Sequence, residues 1–183
     1  MIPYRRRFAP VLGFFLLLGS LAPAWAGGPV LLTLTGSIET PNRGPMDPEY
    51  DKLFAFNDMT FETAMAFDTD ALAALPQAEV RADFPKGGPE RTFSGPSLAA
   101  ILEAAGATGE TATLVAMDGY AVEVPVADLT ARGAVVALAR DGRAFGIGDF
   151  GPTQIVFPRA ERDDLAGMND DWWIWQVFNI AIE

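Results

Sequence analysis

The side chains best suited to binding chemistry in this sequence are aromatic and acidic, and they are densest around residue 172. Trp172, Trp173 and Trp175 directly follow Asp171. Indole rings can stack on a flat heterocycle, and a neighbouring carboxylate can accept hydrogen bonds from the N–H groups of such a ligand. Strand alternation would place Trp173 and Trp175 on one face and Trp172 on the other. The alternative interpretation is that the tryptophans only cover apolar surface beside a solvated acidic turn.

Two glycine-containing segments could bring further groups to such a site. Asp118 and Tyr120 flank Gly119, although an Asp-Gly turn followed by a strand aromatic explains the same pattern without a ligand. Asp149 lies in the segment GIGDFGP of residues 146–152, where three glycines would let the backbone approach a ligand closely. This segment is not a dinucleotide-binding GxGxxG fingerprint, because it does not lie between a strand and a helix.

One arginine could contact either a ligand or other side chains at the surface. Arg159 could pair with an anionic ligand through its planar guanidinium group. It could also form a surface ion pair with Glu161 or Asp163, and this second arrangement is the default expectation. The sequence gives no indication that any two carboxylates face each other across a cleft, so a glycosidase-type acid pair has no support.

Two missing residue types restrict the possible chemistry. The 183 residues include neither cysteine nor histidine. This excludes disulfides, Cys or His metal ligands, Ser-His and Cys-His nucleophiles, and imidazole acid–base catalysis. A hard metal held by carboxylates, or catalysis by carboxylates alone, remains open. The net charge of −11 argues against a nucleic-acid partner, because binding to the phosphate backbone needs a surface of lysine and arginine.

Residues 1–26 have the pattern of a secretory signal sequence. Arginines at residues 5–7 precede an apolar run over residues 11–18, and Ala24-Trp25-Ala26 offers a small-residue cleavage site. The run is shorter than the roughly 20 residues that span a membrane, which disfavours an uncleaved anchor. The twin-arginine pattern is incomplete, which favours the general secretory route. We therefore expect one soluble domain over residues 27–183, exported to the periplasm, with a net charge of −14 after the loss of three arginines.

The remaining chain reads as strands with a few short helices. Alternating apolar residues and turn-forming pairs predict strands over residues 30–35, 61–67, 78–84, 112–117, 120–124, 135–139, 143–145, 154–157 and 172–182. The last of these is apolar on both faces, as expected for a strand inside a sheet. The predicted fold class is therefore α+β, dominated by strands, in one domain.

Turns and helix ends are predicted from their own residue preferences. Ser94-Gly95 should cap a helix over residues 96–105, and Asp68 or Thr69 should cap a shorter helix that ends near Leu75. Asp118-Gly119 and Asp141-Gly142 are expected to form hairpin turns in which both residues have positive φ. Residues 40–58 are rich in proline, glycine and charge, which predicts a long loop or a lid.

An ordered series of motifs resembles the molybdopterin-binding domain of the sulfite oxidase family. The series consists of an F-x-G-x-x-L helix start at residues 93–98, a D-x-Y turn at residues 118–120, a D-G hairpin at residues 141–142 and a G-P to V-x-P segment at residues 151–158. The resemblance extends over roughly residues 28–183. It implies an α+β fold with mixed sheets around a pterin pocket.

The departures from that family are informative. Its enzymes bind molybdenum through a cysteine before this helix, and the present sequence has no cysteine. Residues 80–85 offer only Arg81 to an anion pocket, and Gly151-Pro152 is followed by Thr153 and Gln154 instead of an arginine. No oxygen side chain replaces a thiolate as a soft donor. The resemblance thus implies a pterin pocket without molybdenum, and a pocket that prefers a simple pterin over molybdopterin.

The sequence is more closely similar to small exported proteins that have this fold and lack the cysteine. The shared stretches are ALPQ at residues 74–77, residues 93–98 again, and WIWQ at residues 173–176. Some of these proteins are periplasmic pterin-binding adaptors for a membrane enzyme that makes or degrades cyclic di-GMP. This resemblance implies a binding protein without catalytic residues. Its expected ligand contacts are Asp118, Tyr120, Asp149, Arg159, Asp171, Trp173 and Trp175.

Two other functions remain open at this point. The first is a molybdopterin-dependent oxidoreductase that holds its metal without a protein thiolate. The second is a protein-interaction module in which the tryptophans form a contact patch, since aromatic residues dominate interface energetics.

Overall fold

The computed structural model describes residues 28–183. The predicted signal sequence of residues 1–26 lies outside the described residues. Within residues 28–183, no helix has the length and apolar character that crossing a membrane requires.

The described chain consists of eleven strands and four short α-helices, with one 3-10 turn at Asp163–Leu165. The strands are β1 Val30–Gly36, β2 Ala64–Asp68, β3 Gln77–Ala82, β4 Arg91–Pro96, β5 Thr111–Ala116, β6 Ala121–Pro125, β7 Val135–Ala137, β8 Ala139–Arg140, β9 Arg143–Ala144, β10 Gln154–Val156 and β11 Val177–Ile182. The helices are α1 Lys52–Phe56, α2 Thr69–Ala74, α3 Leu98–Ala105 and α4 Val126–Ala131. The α+β class dominated by strands is confirmed, while α1, α4 and β4 were not predicted.

A five-stranded mixed sheet forms the larger half of the fold, with strand order β2-β1-β11-β5-β6. Strands β1 and β11 are parallel, and their neighbours are antiparallel. Strand β11 occupies the centre, and its side chains are almost all buried. This confirms that a strand apolar on both faces lies inside the sheet.

A four-stranded sheet of order β3-β4-β8-β9 and the pair β10-β7 form the second half. Gly95 in β4 lets the chain pass close to β7, because a Cβ at this position would lie 2.1 Å from the Val136 carbonyl oxygen. The glycine of the F-x-G-x-x-L motif therefore has a packing role. Helix α3 begins later than predicted, because Pro96 still pairs with Gln77 in the sheet. Ser97 is the N-cap residue, and its side chain accepts a hydrogen bond from the Ala100 amide.

The two Asp-Gly hairpins differ from each other. Asp141 and Gly142 have φ values of 51° and 76°, as predicted for a two-residue turn. At the other hairpin only Gly119 has a positive φ, and its amide donates to the Ala116 carbonyl at 3.0 Å. The prediction for Asp118 was wrong, because this turn is one residue longer and ends in a glycine bulge.

Residues 40–58, predicted as a loop or lid, contain helix α1 and are anchored to the large sheet. The Phe54 ring is buried and meets the Phe61 and Phe178 rings edge-on at 5.1 Å. Arg43 and Asp51 form an ion pair of 2.6 Å within the segment. The three phenylalanine rings belong to a second apolar cluster, separate from the main core.

Candidate functional site

A cleft of about 290 Å³ opens where the turn before β11 meets the β5–β6 hairpin. We call it the aromatic cleft. Its lining residues are Phe84, Asp118, Tyr120, Asp170, Asp171, Trp173, Ile174 and Trp175. Five of the seven residues singled out from the sequence therefore lie around one cavity: Asp118, Tyr120, Asp171, Trp173 and Trp175.

The tryptophans reach this cleft from a turn and not from a strand. Residues 172–176 precede β11, and Gln176 has a φ of 54°. The Trp173 amide donates to the Asp170 carbonyl at 3.0 Å, which closes the turn. The predicted strand is consequently wrong at these residues, although Trp173 and Trp175 still line the same cleft and Trp172 does not. Trp173 is 2% exposed and Trp175 is 45% exposed.

Trp173 forms a buried wall of the cleft. Its ring lies nearly parallel to Phe84, with centroids 5.5 Å apart, and the Arg159 guanidinium carbon lies 4.3 Å from the ring centroid. With these neighbours the ring leaves little face for a ligand. The indole N–H is buried without an acceptor among residues 28–183. A buried donor of this kind is stabilised if an acceptor from outside the chain reaches it.

Arg159 lies beside the cleft, and its guanidinium donates hydrogen bonds to several neighbouring residues. Its Nε donates to Asp83 Oδ1 and its Nη1 to Asp170 Oδ1, both at 2.6 Å. Nη1 also donates to the Met168 carbonyl at 3.1 Å, and Nη2 to the Asp83 carbonyl at 2.6 Å. Four of its five N–H groups are used in this way, and the side chain is 2% exposed.

The surface pairing expected for Arg159 is therefore wrong. Glu161 instead accepts from the Arg81 amide at 2.9 Å. Arg159 also has little capacity left for an anionic ligand, so we reassign it from a ligand contact to a positioning residue. It joins the loop after β3 to the turn before β11, and thereby holds Phe84 against Trp173.

The surroundings of Asp83 favour the ionised form of its carboxyl. Burial disfavours the charged form of Asp83, but hydrogen bonds from the Gly87 amide and the Arg159 guanidinium outweigh it and lower the pKa of this carboxyl. Asp170 accepts from Arg159 through one oxygen and from the Lys86 amide, at 2.8 Å, through the other. Both carboxylates are thus used to hold the cleft together.

The remaining residues of the aromatic cleft are open to solvent. Tyr120 is 49% exposed, and its hydroxyl donates to the Asp171 carbonyl at 3.3 Å. Asp118 Oδ1 accepts from the Tyr120 amide at 3.0 Å, while Oδ2 receives no hydrogen bond from the part of the chain that is described. The Asp171 side chain accepts from Asn169. The cleft therefore presents two exposed rings, Tyr120 and Trp175, and two carboxylates with acceptor capacity to spare.

A second cleft of about 510 Å³ adjoins the first, and we call it the arginine cleft. Its lining residues are Phe84, Pro85, Pro89, Arg91, Arg140, Asp141, Arg143 and Phe150. Asp149 belongs to this side, because it pairs with Arg140 at 3.4 Å and does not line the aromatic cleft. In the glycine-rich loop, Gly151 packs closely against Phe145, because a Cβ at position 151 would lie 2.1 Å from the Phe145 Cβ. Packing inside the protein therefore explains this glycine.

The arginines of this cleft were not identified as site residues from the sequence, although the predicted turn between two of them already indicated that they lie together. Arg140 and Arg143 flank the predicted Asp141-Gly142 turn and pair across the resulting hairpin. Cross-strand partners next to a two-residue turn share one face of the sheet. Arg91 joins them from β4, through an ion pair with Asp141 of 3.2 Å, which only the strand order reveals.

Comparisons with known proteins identify the fold. The sequence matches no protein-family model, and a search of curated proteins finds no relative. Among solved structures, the sulfane dehydrogenase SoxCD from Paracoccus pantotrophus matches with a TM-score of 0.57 and 16% sequence identity. This chain shares the fold of part of that enzyme. The match covers 82% of this chain and only 37% of the SoxCD chain. It agrees with the sulfite oxidase-like fold that the sequence resemblance implied, whereas the likeness to small exported proteins stays a prediction.

The donor set in the described residues does not fit a molybdenum centre. The sequence has no cysteine, and residues 28–183 contain no group of three or more acidic side chains placed to hold a metal ion. Carboxylates and carbonyls suit hard cations and not a metal that is usually bound by thiolate. An aromatic, N–H-bearing heterocycle does fit the aromatic cleft, because rings and free acceptors meet there.

Proposed function

We propose that this protein is an exported, non-catalytic pterin-binding protein that acts as a periplasmic sensor or adaptor for a membrane signalling enzyme of cyclic di-GMP metabolism. The observation that supports it best is the aromatic cleft, where the exposed rings of Tyr120 and Trp175 lie beside the carboxylates of Asp118 and Asp171. The adaptor role and the periplasmic location rest on the sequence resemblance.

A pterin has the shape and polarity that such a cleft recognises. Its flat bicycle can stack on a Tyr or Trp ring, and its N3–H and 2-amino groups can donate to one carboxylate at two points. Leaving those donors unpaired in a closed pocket would cost about 1–3 kcal/mol each. Asp118, with one oxygen that is not used within the described chain, is the best placed acceptor.

Binding without turnover agrees with the chemistry of the site residues. The sequence has no thiol and no imidazole, which removes the commonest nucleophiles and proton-transfer groups. Asp83 and Asp170 both form ion pairs with Arg159, so their carboxylates already have a partner within the protein. A sensor needs only a ligand-dependent surface, and a ligand on the exposed Tyr120 and Trp175 rings would change the surface presented to a partner.

Ligand binding is tested by quenching of tryptophan fluorescence on titration of the protein with biopterin. We expect Trp175→Ala and Asp118→Asn to weaken binding by about 10-fold or more, the value of one charge-assisted hydrogen bond or one stacked ring. Tyr50→Ala is the matched aromatic control, since Tyr50 is 81% exposed and lies outside the cleft. Normal binding by both cleft variants would show that the pterin pocket is elsewhere.

A protein-interaction module is the second candidate, and the exposure of Trp175, Tyr120 and Ile147 favours it. Exposed aromatic residues of this kind supply much of the binding energy at protein interfaces. This function predicts no fluorescence change with any pterin, together with a partner that is retained by the wild type and lost by Trp175→Ala.

A further inference from the structure

The arginine cleft concentrates positive charge in a strongly acidic domain. The sequence has 24 acidic residues, and only ten lysines and arginines lie beyond residue 26. Three of these ten, Arg91, Arg140 and Arg143, line this one cleft. Grouping like charges is electrostatically unfavourable unless something of opposite charge offsets it.

The acids present in the structure offset this charge only in part. Arg91 has a single ion pair with Asp141 at 3.2 Å, and Arg140 a single ion pair with Asp149 at 3.4 Å. The Arg143 side chain is exposed, and its guanidinium has no hydrogen bond or ion pair with any residue from 28 to 183. These contacts are longer and fewer than those of Arg159, so most of their N–H groups remain available.

The arginine cleft and the aromatic cleft share a wall. Phe84 lines both cavities. Phe150, which lines the arginine cleft, meets Phe84 edge-on at 5.2 Å and Trp175 at 5.5 Å. The Arg140 guanidinium carbon lies 5.3 Å from the Phe150 ring centroid, so this ring connects Trp175 with the arginine cleft.

We propose that the arginine cleft is an anion subsite, and that the ligand is a flat heterocycle with an anionic side chain. The heterocycle occupies the aromatic cleft, and a phosphate or carboxylate on its side chain binds Arg143 and Arg140. This inference rests on the proposed function for the heterocycle. It replaces the sequence-based expectation of a simple pterin, which followed from finding only Arg81 near the pocket.

The chemistry of guanidinium groups supports an anion at this place. Their planar N–H pairs match the oxygens of phosphate and carboxylate, and such charge-assisted bonds are about twice as strong as neutral ones. The aromatic cleft and the arginine cleft then bind different parts of the ligand. Carboxylates face the N–H edge of the heterocycle, and arginines face the charged end of its side chain.

The test compares three probes in fluorescence titrations: neopterin, neopterin monophosphate and folate, whose side chain ends in carboxylates. One charge-assisted contact is worth roughly a 10-fold change in Kd, so we expect the monophosphate to bind at least that much more tightly than neopterin. A gain for folate and not for the phosphate identifies a carboxylate subsite. Equal Kd values for all three probes overturn the proposal.

Two variants and one control test whether the arginine cleft causes the tighter binding of the anionic probe. Arg143→Gln and Arg140→Gln should remove most of the preference for the anionic probe while the Kd of neopterin stays unchanged. Arg81→Gln is the control, because Arg81 pairs with Glu90 and Glu161 at the surface outside the cleft. A preference that survives both cleft substitutions, or that disappears in the control, contradicts the assignment.

Failure of this inference is distinguishable from failure of the proposed function. If neopterin binds and the anionic group adds nothing, the arginine cleft is not a subsite, but the pterin site stands. If no probe binds, both proposals are wrong. If only the anionic probes bind, and Arg143→Gln abolishes that binding, the anion subsite stands and the aromatic cleft is not sufficient for a pterin.

Discussion

Replacing Arg159 with alanine removes a buried group that joins the loop after β3 to the turn before β11 beside the aromatic cleft. The substitution deletes four hydrogen bonds to Asp83, Asp170 and Met168, and the guanidinium that covers the Trp173 ring. It leaves two carboxylates without their counter-ion, each on a side chain that is 28–29% exposed. The substitution should therefore destabilise the fold mainly because two partly buried carboxylates lose their counter-ion.

The magnitude follows from how deeply those charges are buried. Removing one partner of a fully buried ion pair costs about 3–5 kcal/mol. Because Asp83 and Asp170 keep partial access to water, we take the lower end, about 3 kcal/mol of the free energy of unfolding. At about 2–4 °C per kcal/mol for a domain of this size, the melting temperature should fall by roughly 6–12 °C.

Denaturant titration followed by tryptophan fluorescence measures this loss, with Arg81→Ala as control. Arg81 is 54% exposed and has two surface ion pairs, which should contribute at most about 1 kcal/mol. Arg159→Lys should recover only part of the loss, since an ammonium group cannot reproduce the planar fork of contacts. If Arg159→Ala destabilises no more than Arg81→Ala, the contacts of Arg159 with Asp83 and Asp170 do not stabilise the fold.

Three further predictions concern pH, packing and metal content. The pKa of Asp83 is lower in the folded than in the unfolded state, so its contribution is complete above about pH 4 and is lost as pH falls further. In thermal melts, the stability difference between wild type and Asp83→Asn should stay constant from pH 6 to about pH 4 and shrink below about pH 4. Gly95→Ala should destabilise by about 1–3 kcal/mol through the clash with the β7 backbone, whereas Gly44→Ala, which has open space around it, should change the unfolding midpoint little. Protein purified from a molybdate-fed host should contain less than about a tenth of an equivalent of molybdenum by elemental analysis, and a stoichiometric amount would contradict our interpretation of the donor set.

Features that depend on neighbouring residues could be predicted from the sequence. Asp68 caps the short helix by accepting from the Ala71 amide at 2.8 Å, as its position before the helix indicated. The Asp141-Gly142 turn and the central, fully apolar strand were also correct. In the cap and the turn, the residue type restricts the backbone conformation enough to select one structure. In the apolar strand, the residue type requires burial on both faces.

Features that depend on distant partners could not be predicted in this way. Arg159 meets Asp83 from 76 positions away, and nothing near either residue in the sequence distinguishes this pair from the closer acids. The turn before β11 was missed because Gln176 adopts a left-handed backbone conformation that its side chain does not favour. A strand was predicted there instead, and strand alternation does not predict the difference between Trp173, which is 2% exposed, and Trp175, which is 45% exposed.

The arginines around the candidate site are used in two different ways, and this difference separates structure from recognition. A buried charge must be paired within the protein, so Arg159, which is 2% exposed, has its N–H groups fixed by Asp83, Asp170 and backbone oxygens. Arg143 is exposed and the Arg140 side chain is 29% exposed, so both keep access to water and lose less than Arg159 would by remaining incompletely paired. Substitution of Arg159 should therefore change the stability of the fold, while substitution of the other two should change only what the cleft binds.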